Sequence, residues 1–181
     1  MVRIQVKHGG DEEEDQKEFL YESPTTSTID EIAKDVIQIA NLQSKILRLS
    51  LHLQPRLSPL INTDPKVIPL SRALSEAEAY ASKNQVLHNK PLSICVLKGH
   101  KQSIEREFTG SYDIMGFPDS NIRQLLPGLE AIKEDITKLW WAGKELMRGK
   151  RLCDYIGKNE KTKIILRLQS PSSHPVCNSV Q

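Results

Sequence analysis

The first 41 residues read as strand, strand, helix, and that order is the strongest constraint on what the chain can fold into. Val2, Ile4 and Val6 alternate with Arg3, Gln5 and Lys7, the period of two of a half-buried strand. Gly9-Gly10 and the acid run Asp11–Asp15 ("DEEED") then predict a solvated loop, because neighbouring carboxylates repel one another and stay in water. "KEFLYES" reads as the returning strand of a hairpin. Thr28 and Glu31 have the spacing of a capping box, in which hydroxyl and carboxylate each satisfy an orphan backbone N–H. Ile29, Ile32, Ala33, Val36, Ile37 and Ala40 follow at helical spacing and form one apolar stripe. A lone hairpin is marginal in water, so more strands must come from elsewhere in the chain.

The middle of the chain is less regular. "KILRLSLHL" alternates from Leu47 to Leu53 like a strand, yet "NLQSKILRLSLHL" also suits a helix continuing past a kink. Pro55, Pro59, Pro65 and Pro69 predict breaks, since each lacks an N–H and biases its predecessor away from the helix. A helix is expected from about Ser71 to Asn84, with Ala73, Leu74, Ala77 and Ala81 on one side. "LSICVL" reads as a short buried strand, "HKQSIEREF" as a helix, and "TGSYDIMGFPDSN" as turn-rich. "LPGLEAIKEDI" is expected to begin another helix, with Leu129, Ile132 and Ile136 inward. The last dozen residues, "SPSSHPVCNSVQ", have the composition of a disordered tail.

Composition excludes several function classes. The 181 residues suffice for one domain with a sizeable insertion. A formal charge of +2 makes the whole molecule no strong polyanion binder, although Leu139–Gln169 holds eight Lys/Arg against three Asp/Glu. No apolar run of membrane-spanning length occurs, and "MVRIQVKHGG" lacks the apolar core of a signal peptide. Cys95, Cys153 and Cys177 are odd in number, which suits a reducing, cytoplasmic compartment. There is no phosphate loop, no nucleophile elbow and no His or Cys pair at metal-ligand spacing. Cys153 has no accompanying His or second Cys, so it reads as a small buried residue. The expectation is a protein that is not an enzyme and needs no cofactor or metal.

The closing stretch "AGKELMRGKRLCDYIGKNEKTKIILRLQ" resembles the second half of ubiquitin. The likeness lies in Ala142-Gly143-Lys144, Leu146, Gly149, Leu152, Asp154-Tyr155, Lys158, Glu160, Thr162 and Leu166-Arg167-Leu168. It implies a strand and turn, a tight corner at Asp154-Tyr155, and a final central strand over Thr162–Leu168. The Tyr155 hydroxyl would hold the backbone near Met147, and Ile164, Leu166 and Leu168 would face the Ile32/Val36 helix. The expected fold is therefore α+β, a ubiquitin-like β-grasp split by a mainly helical insertion. Residues 1–41 with 139–169 would form the β-grasp, 42–138 the insertion and 170–181 the tail. Helical spacing of Leu129, Ile132, Ile136, Leu139, Gly143 and Leu146 leaves a rival, a helix from Pro127 through Arg148. After "ILRLQ" comes Ser170-Pro171 and not a diglycine, so a conjugated modifier is not the expectation.

"LWWAGKEL" followed by "GKRLCDYIGKNEKTKII" is more specific. This combination resembles the Kurly family of cilia- and flagella-associated proteins, with looser matches at "MVRIQVKHGG", "FLYESPTTSTIDEIAKDV", "EAYASKNQV" and the "MGFPD" turn. The resemblance implies a non-enzymatic cytoplasmic assembly or adaptor protein, also placed at the cilium base. Its implied role is in motile cilia, through assembly of axonemal dynein arms with dynein-assembly factors or chaperone-type partners. The family's long charged tail is replaced here by "SPSSHPVCNSVQ", and Pro91–Asn121 diverges. Two alternatives stand beside this reading: a ubiquitin-like interaction module without a ciliary role, and a basic RNA-binding module. The absence of RRM, KH or OB signatures disfavours the latter, and no membrane partner is expected.

Trp140 and Trp141, adjacent on a strand, would point to opposite faces. The outward one, assigned as Trp140, is the candidate interface residue, because Trp is enriched at hot spots. Lys144, Arg148, Lys150, Arg151, Lys158 and Lys161 are expected to rim it, Trp141 is also counted as a partner-binding candidate, and Asp154 and Tyr155 form the structural corner. Asn159 is expected in a turn.

Overall fold

A computed structural model describes residues 1–10, 16–115 and 131–171, without the side chains of residues 112 and 115. The acid run, the "MGFPD" turn after its Met115, Leu129 and the tail from residue 172 lie outside the described residues. The chain divides into two compact units, Met1–Ile37 with Ile132–Gln181, and Gln38–Ala131.

The first unit is built on a five-stranded mixed sheet. Strands β1 (Val2–Gly9) and β2 (Gln16–Ser23) form the antiparallel hairpin, in register from Val2 opposite Ser23 to Gly9 opposite Gln16. Strand β5 (Lys163–Gln169) lies parallel to β1, with Ile4 opposite Ile164 and Val6 opposite Leu166. Strand β3 (Lys138–Trp141) pairs antiparallel with β5 and with the two-residue β4 (Lys144–Glu145). The order β2-β1-β5-β3-β4 puts the first and last strands of the chain side by side at the centre. Val2, Ile4, Val6, Phe19, Ile164, Leu166 and Leu139 make the buried face. Helix α1 (Ile29–Leu57) begins with Ile29, Ile32, Ala33 and Val36 wholly buried. The Tyr21 hydroxyl donates to Asp35 Oδ2 at 2.8 Å and so ties β2 to α1. The Thr28–Glu31 capping box is made in both directions, at 3.0 and 3.2 Å. The fold class is α+β, as the sequence led us to expect.

Ala142 and Gly143 turn the chain between β3 and β4, both with positive φ, 48° and 77°. Two such residues give the twist that a two-residue hairpin needs. The rival helix through Arg148 is excluded, since 138–141 is strand and 131–137 contains no helix. Ile136, expected inward, is 45% exposed.

The second unit is helical. Its part of α1 packs with α2 (Ile68–Ala81), the single turn α3 (Asn84–Leu87) and α4 (Ile94–Met115). Several expectations are corrected here. Of the two readings open after Asn41, the continuing helix is the one found: α1 runs to Leu57, through Pro55, because Ile46, Leu49, Leu53 and Leu57 continue the buried stripe. The strand alternation at Leu47–Leu53 fails at Leu51, which is 67% exposed. Pro55 sits in the last turn of α1, where it forgoes the bond that an N–H would donate to the Leu51 carbonyl, and the helix ends two residues later. Pro69 opens α2 and does not break it, since a proline in the first turn removes an N–H that has no helical partner. Ala73 is half-buried, and Leu70 takes its expected core place. "LSICVL" is no strand: α4 starts at Ile94 and continues through the expected turn residues to Met115, burying Leu97, Ile104 and Phe108. Two polar groups inside this unit are satisfied, Gln43 Nε2 donating to Ala81 O at 2.8 Å and Ser50 Oγ to Glu78 Oε2 at 2.6 Å, whereas Arg48 Nε is buried without an acceptor among the described residues.

Candidate interaction surface

Strand alternation assigns the sheet's outer face. On β1 it carries Arg3, Gln5 and Lys7, and on β2 Glu18, Leu20 and Glu22, opposite them in register. On β5 it carries Lys163, Ile165 and Arg167, set beside Arg3, Gln5 and Lys7 by the parallel pairing. Trp140 of β3 stands opposite Arg167 on one side and Glu145 on the other. Trp140 is thus on the outer face, with Leu139 and Trp141 on the inner one.

Most charges on this face are matched. Arg3 Nε lies 3.1 Å from Glu22, Lys7 Nζ 4.0 Å from Glu18 and Lys138 Nζ 3.2 Å from Glu145. Gln5 Nε2 also donates to Glu18, at 2.9 Å. Lys163 and Arg167 have no ion pair among the described residues, and Ile165 between them is 51% exposed. The indole N–H of Trp140 is buried without a hydrogen-bond acceptor among the described residues. Such an orphan donor costs about 1–3 kcal/mol.

The basic residues expected around Trp140 are not gathered there. Lys144 pairs with Trp141, which puts it on the opposite face. Arg148 is a strut: its Nη2 donates to Glu134 O at 2.9 Å and Thr137 O at 3.3 Å, and its Nη1 lies 4.0 Å from Asp30. Lys150 lies over the Tyr155 ring, 5.8 Å from its centroid. Lys158 and Lys161 belong to the loop before β5, where Asn159 Oδ1 accepts from the Lys161 N–H at 3.0 Å. What the sequence reading missed is the Lys163–Ile165–Arg167 row. Its signal was present in the alternation of "KIILR", which separates these three from Ile164 and Leu166.

The frame behind this face is held by two polar joints. At the corner, the Met147 N–H donates to the Tyr155 hydroxyl at 2.8 Å, and the Arg151 N–H to Asp154 Oδ2 at 2.9 Å. At the other joint, Glu160 Oε1 accepts from Thr25 Oγ1 at 2.6 Å and from the Thr25 N–H at 2.8 Å, and Oε2 lies 3.3 Å from the Met1 amino group. The Thr25 hydroxyl foremost, then its N–H and the amino group, hold the Glu160 carboxyl below its usual range. Burial, and then the bond to Asp35, push the Tyr21 hydroxyl above the range of a free tyrosine. Cys153 is half-buried and Cys95 exposed. Among the described residues no cluster of His, Cys, Asp or Glu is placed to hold a metal ion, and no helix is long and apolar enough to cross a membrane.

Residues 137–180, which contain β3, β4 and β5, match the family model of cilia- and flagella-associated protein 298. The human protein of that name is 26% identical over 245 aligned positions, covering 99% of this chain and 81% of its own length. The chain is similar to cilia- and flagella-associated protein 298 from end to end. The mouse protein of that name is 27% identical over 99% of the chain, and the Drosophila melanogaster protein 24% over 97%. The alignment to human cilia- and flagella-associated protein 298 is longer than this chain, so that relative carries residues inside the matched span that this chain lacks. No solved structure matches the chain.

Proposed function

We propose that this chain is a non-enzymatic adaptor related to cilia- and flagella-associated protein 298, acting in the cytoplasm in the biogenesis or upkeep of motile cilia. The observation that carries this reading is similarity to proteins of that name over nearly the whole chain, and not over one motif. Its step is the assembly of axonemal dynein arms, alongside dynein-assembly factors or chaperone-type partners. The first unit serves as a ubiquitin-like frame, with the strand order β2-β1-β5-β3-β4 and one helix on its buried face. The Kurly likeness read from the closing stretch belongs to this same proposal.

Binding, and not catalysis, is the mode of action. A rigid sheet presents side chains at fixed spacing, and Trp140 on its outer face is the anchor that a protein partner contacts. The test is affinity purification of the tagged chain and its Trp140→Ala variant from ciliated cells. Dynein-assembly proteins are expected with the parent chain and lost by several-fold with the variant, while thermal unfolding of the variant stays close to the parent. A variant that unfolds shows that Trp140 is core. A folded variant with unchanged capture overturns the docking role of this face.

A further inference from the structure

The central strands β1 and β5 place like charges directly side by side, Arg3 beside Lys163 and Lys7 beside Arg167, with Gln5 beside Ile165 between them. Like charges directly opposite in a sheet are destabilising. On the β2 side Glu22 and Glu18 offset Arg3 and Lys7. On the β5 side no acid among the described residues offsets Lys163 or Arg167. Between these two cations lies a half-exposed isoleucine, and the orphan indole N–H of Trp140 belongs to the residue paired with Arg167. An arrangement that costs stability without local compensation is what a binding surface looks like before its ligand arrives.

We propose that the outer face of the sheet docks an acidic segment of a protein partner. Lys163 and Arg167 take one carboxylate each, and an apolar side chain seats on Ile165 beside Trp140. This deepens the adaptor reading and rests on it. The four steps from Lys163 to Arg167 span about 13 Å at about 3.3 Å per residue. An extended partner meets that spacing with acids at positions i and i+4 and an apolar residue at i+2. The same face also holds Glu18, Glu22 and Glu145. Those carboxylates repel a continuous polyanion, which favours a peptide with two separated acids over a nucleic acid.

The probe is a blocked peptide carrying Glu-Ser-Leu-Ser-Glu between serines, titrated into the isotope-labelled full chain at low salt, with backbone and indole N–H signals followed by NMR. Signals of residues 163–167 and the Trp140 indole, assigned with Trp140→Phe, are expected to move together and saturate. The peptide with glutamines for both glutamates should bind at least fivefold more weakly. Lys163→Glu with Arg167→Glu should weaken binding by about tenfold or more, the loss and reversal of two exposed ion pairs. Lys158→Glu with Lys161→Glu, the same change of net charge elsewhere, should cost less than twofold. The first pair of changes should also shift urea unfolding to higher concentration, because it turns two repulsions across β1 and β5 into attractions. Lys163→Gln with Arg167→Gln repeats the binding test if the reversal disturbs the fold.

The proposal is overturned by no saturable shift, by equal binding of the glutamine peptide, by equal loss in the control pair, or by tighter binding of an oligothymidine at the same residues. Partner capture separates the two levels. If Trp140→Ala loses the ciliary partner while the Lys163/Arg167 reversal keeps it, the acidic chemistry is wrong and the adaptor reading stands. If both keep it, this face is not the docking surface; the adaptor reading itself falls only if the parent chain captures no dynein-assembly protein.

Discussion

Leu166 and Ile165 are neighbours on the central strand β5 with opposite surroundings, and comparing their truncations tests the sheet at its centre. Leu166 is wholly buried opposite Val6, whereas Ile165 is 51% exposed. Leu166→Ala removes three carbons, about 2.4 kcal/mol at about 0.8 kcal/mol per buried methylene. A partly relaxed cavity adds about 0.5–1 kcal/mol, for a total of about 3 kcal/mol. Ile165→Ala removes as many carbons, but about half of that surface already meets water and no cavity forms, so the loss is about 1 kcal/mol. Isoleucine is the stronger strand former of the two, so propensity narrows the difference slightly without closing it. Urea unfolding followed by tryptophan fluorescence reads the right unit, since Trp140 and Trp141 are the chain's two tryptophans and both lie in β3. With a slope of about 1.5–2 kcal/mol per molar urea, the Leu166→Ala midpoint should fall by about 1.5–2 M and the Ile165→Ala midpoint by about 0.5 M. Losses within about 0.5 kcal/mol of each other would refute the assignment of inner and outer faces on β5, and with it the docking row.

Three further outcomes are expected. Tyr155→Phe should cost about 1 kcal/mol in urea unfolding, the net worth of the hydrogen bond from the Met147 N–H, and an unchanged midpoint would deny the corner its role. Glu160 has a folded pKa below its unfolded one, so its contribution is present above the unfolded value and disappears as pH falls through the folded value. Stability measured from pH 6 down to pH 3 should therefore fall less steeply in Glu160→Gln than in the parent; parallel curves would contradict this. The Tyr21 hydroxyl has a raised folded pKa, so its share of stability is present below the unfolded value and is lost as pH rises through the folded one. Ultraviolet titration should show a tyrosine ionising above the range of a free phenol, and Asp35→Asn should bring it down, since the bond to Asp35 is part of the cause.

The hairpin, the capped start of α1 and the last strand were legible in the sequence because each rests on local chemistry. The period of two in Val2–Val6 and the Thr28–Glu31 spacing act within a few residues and need no distant contact. The Met147–Tyr155 bond spans eight residues, and the resemblance of the closing stretch to ubiquitin led to it. The course of α1 beyond Asn41 was not legible. Leucines at 47, 49, 51 and 53 satisfy a strand period, while residues 46, 49, 53 and 57 satisfy a helical one. Gln43 and Ser50 interrupt the helical stripe with polar groups, and only the acceptors at Ala81 and Glu78 show why they can be buried. Prolines misled for a related reason: their cost depends on whether the lost N–H had a helical partner, and Pro69, in the first turn of α2, had none to lose.

The sequence by itself determined which residues alternate, which cap and which form stripes, because those properties depend on neighbours a few positions away. It therefore settled that Trp140 and Trp141 part company and that Lys163, Ile165 and Arg167 share a side. The tertiary structure alone decided which charges meet. Arg3 stands beside Lys163 and Lys7 beside Arg167 only because the two ends of the chain pair in parallel, while Arg148 and Lys144 are drawn away from the outer face. Coulomb energy depends on distance in space, and for residues at opposite ends of a chain that distance is set by the folded sheet.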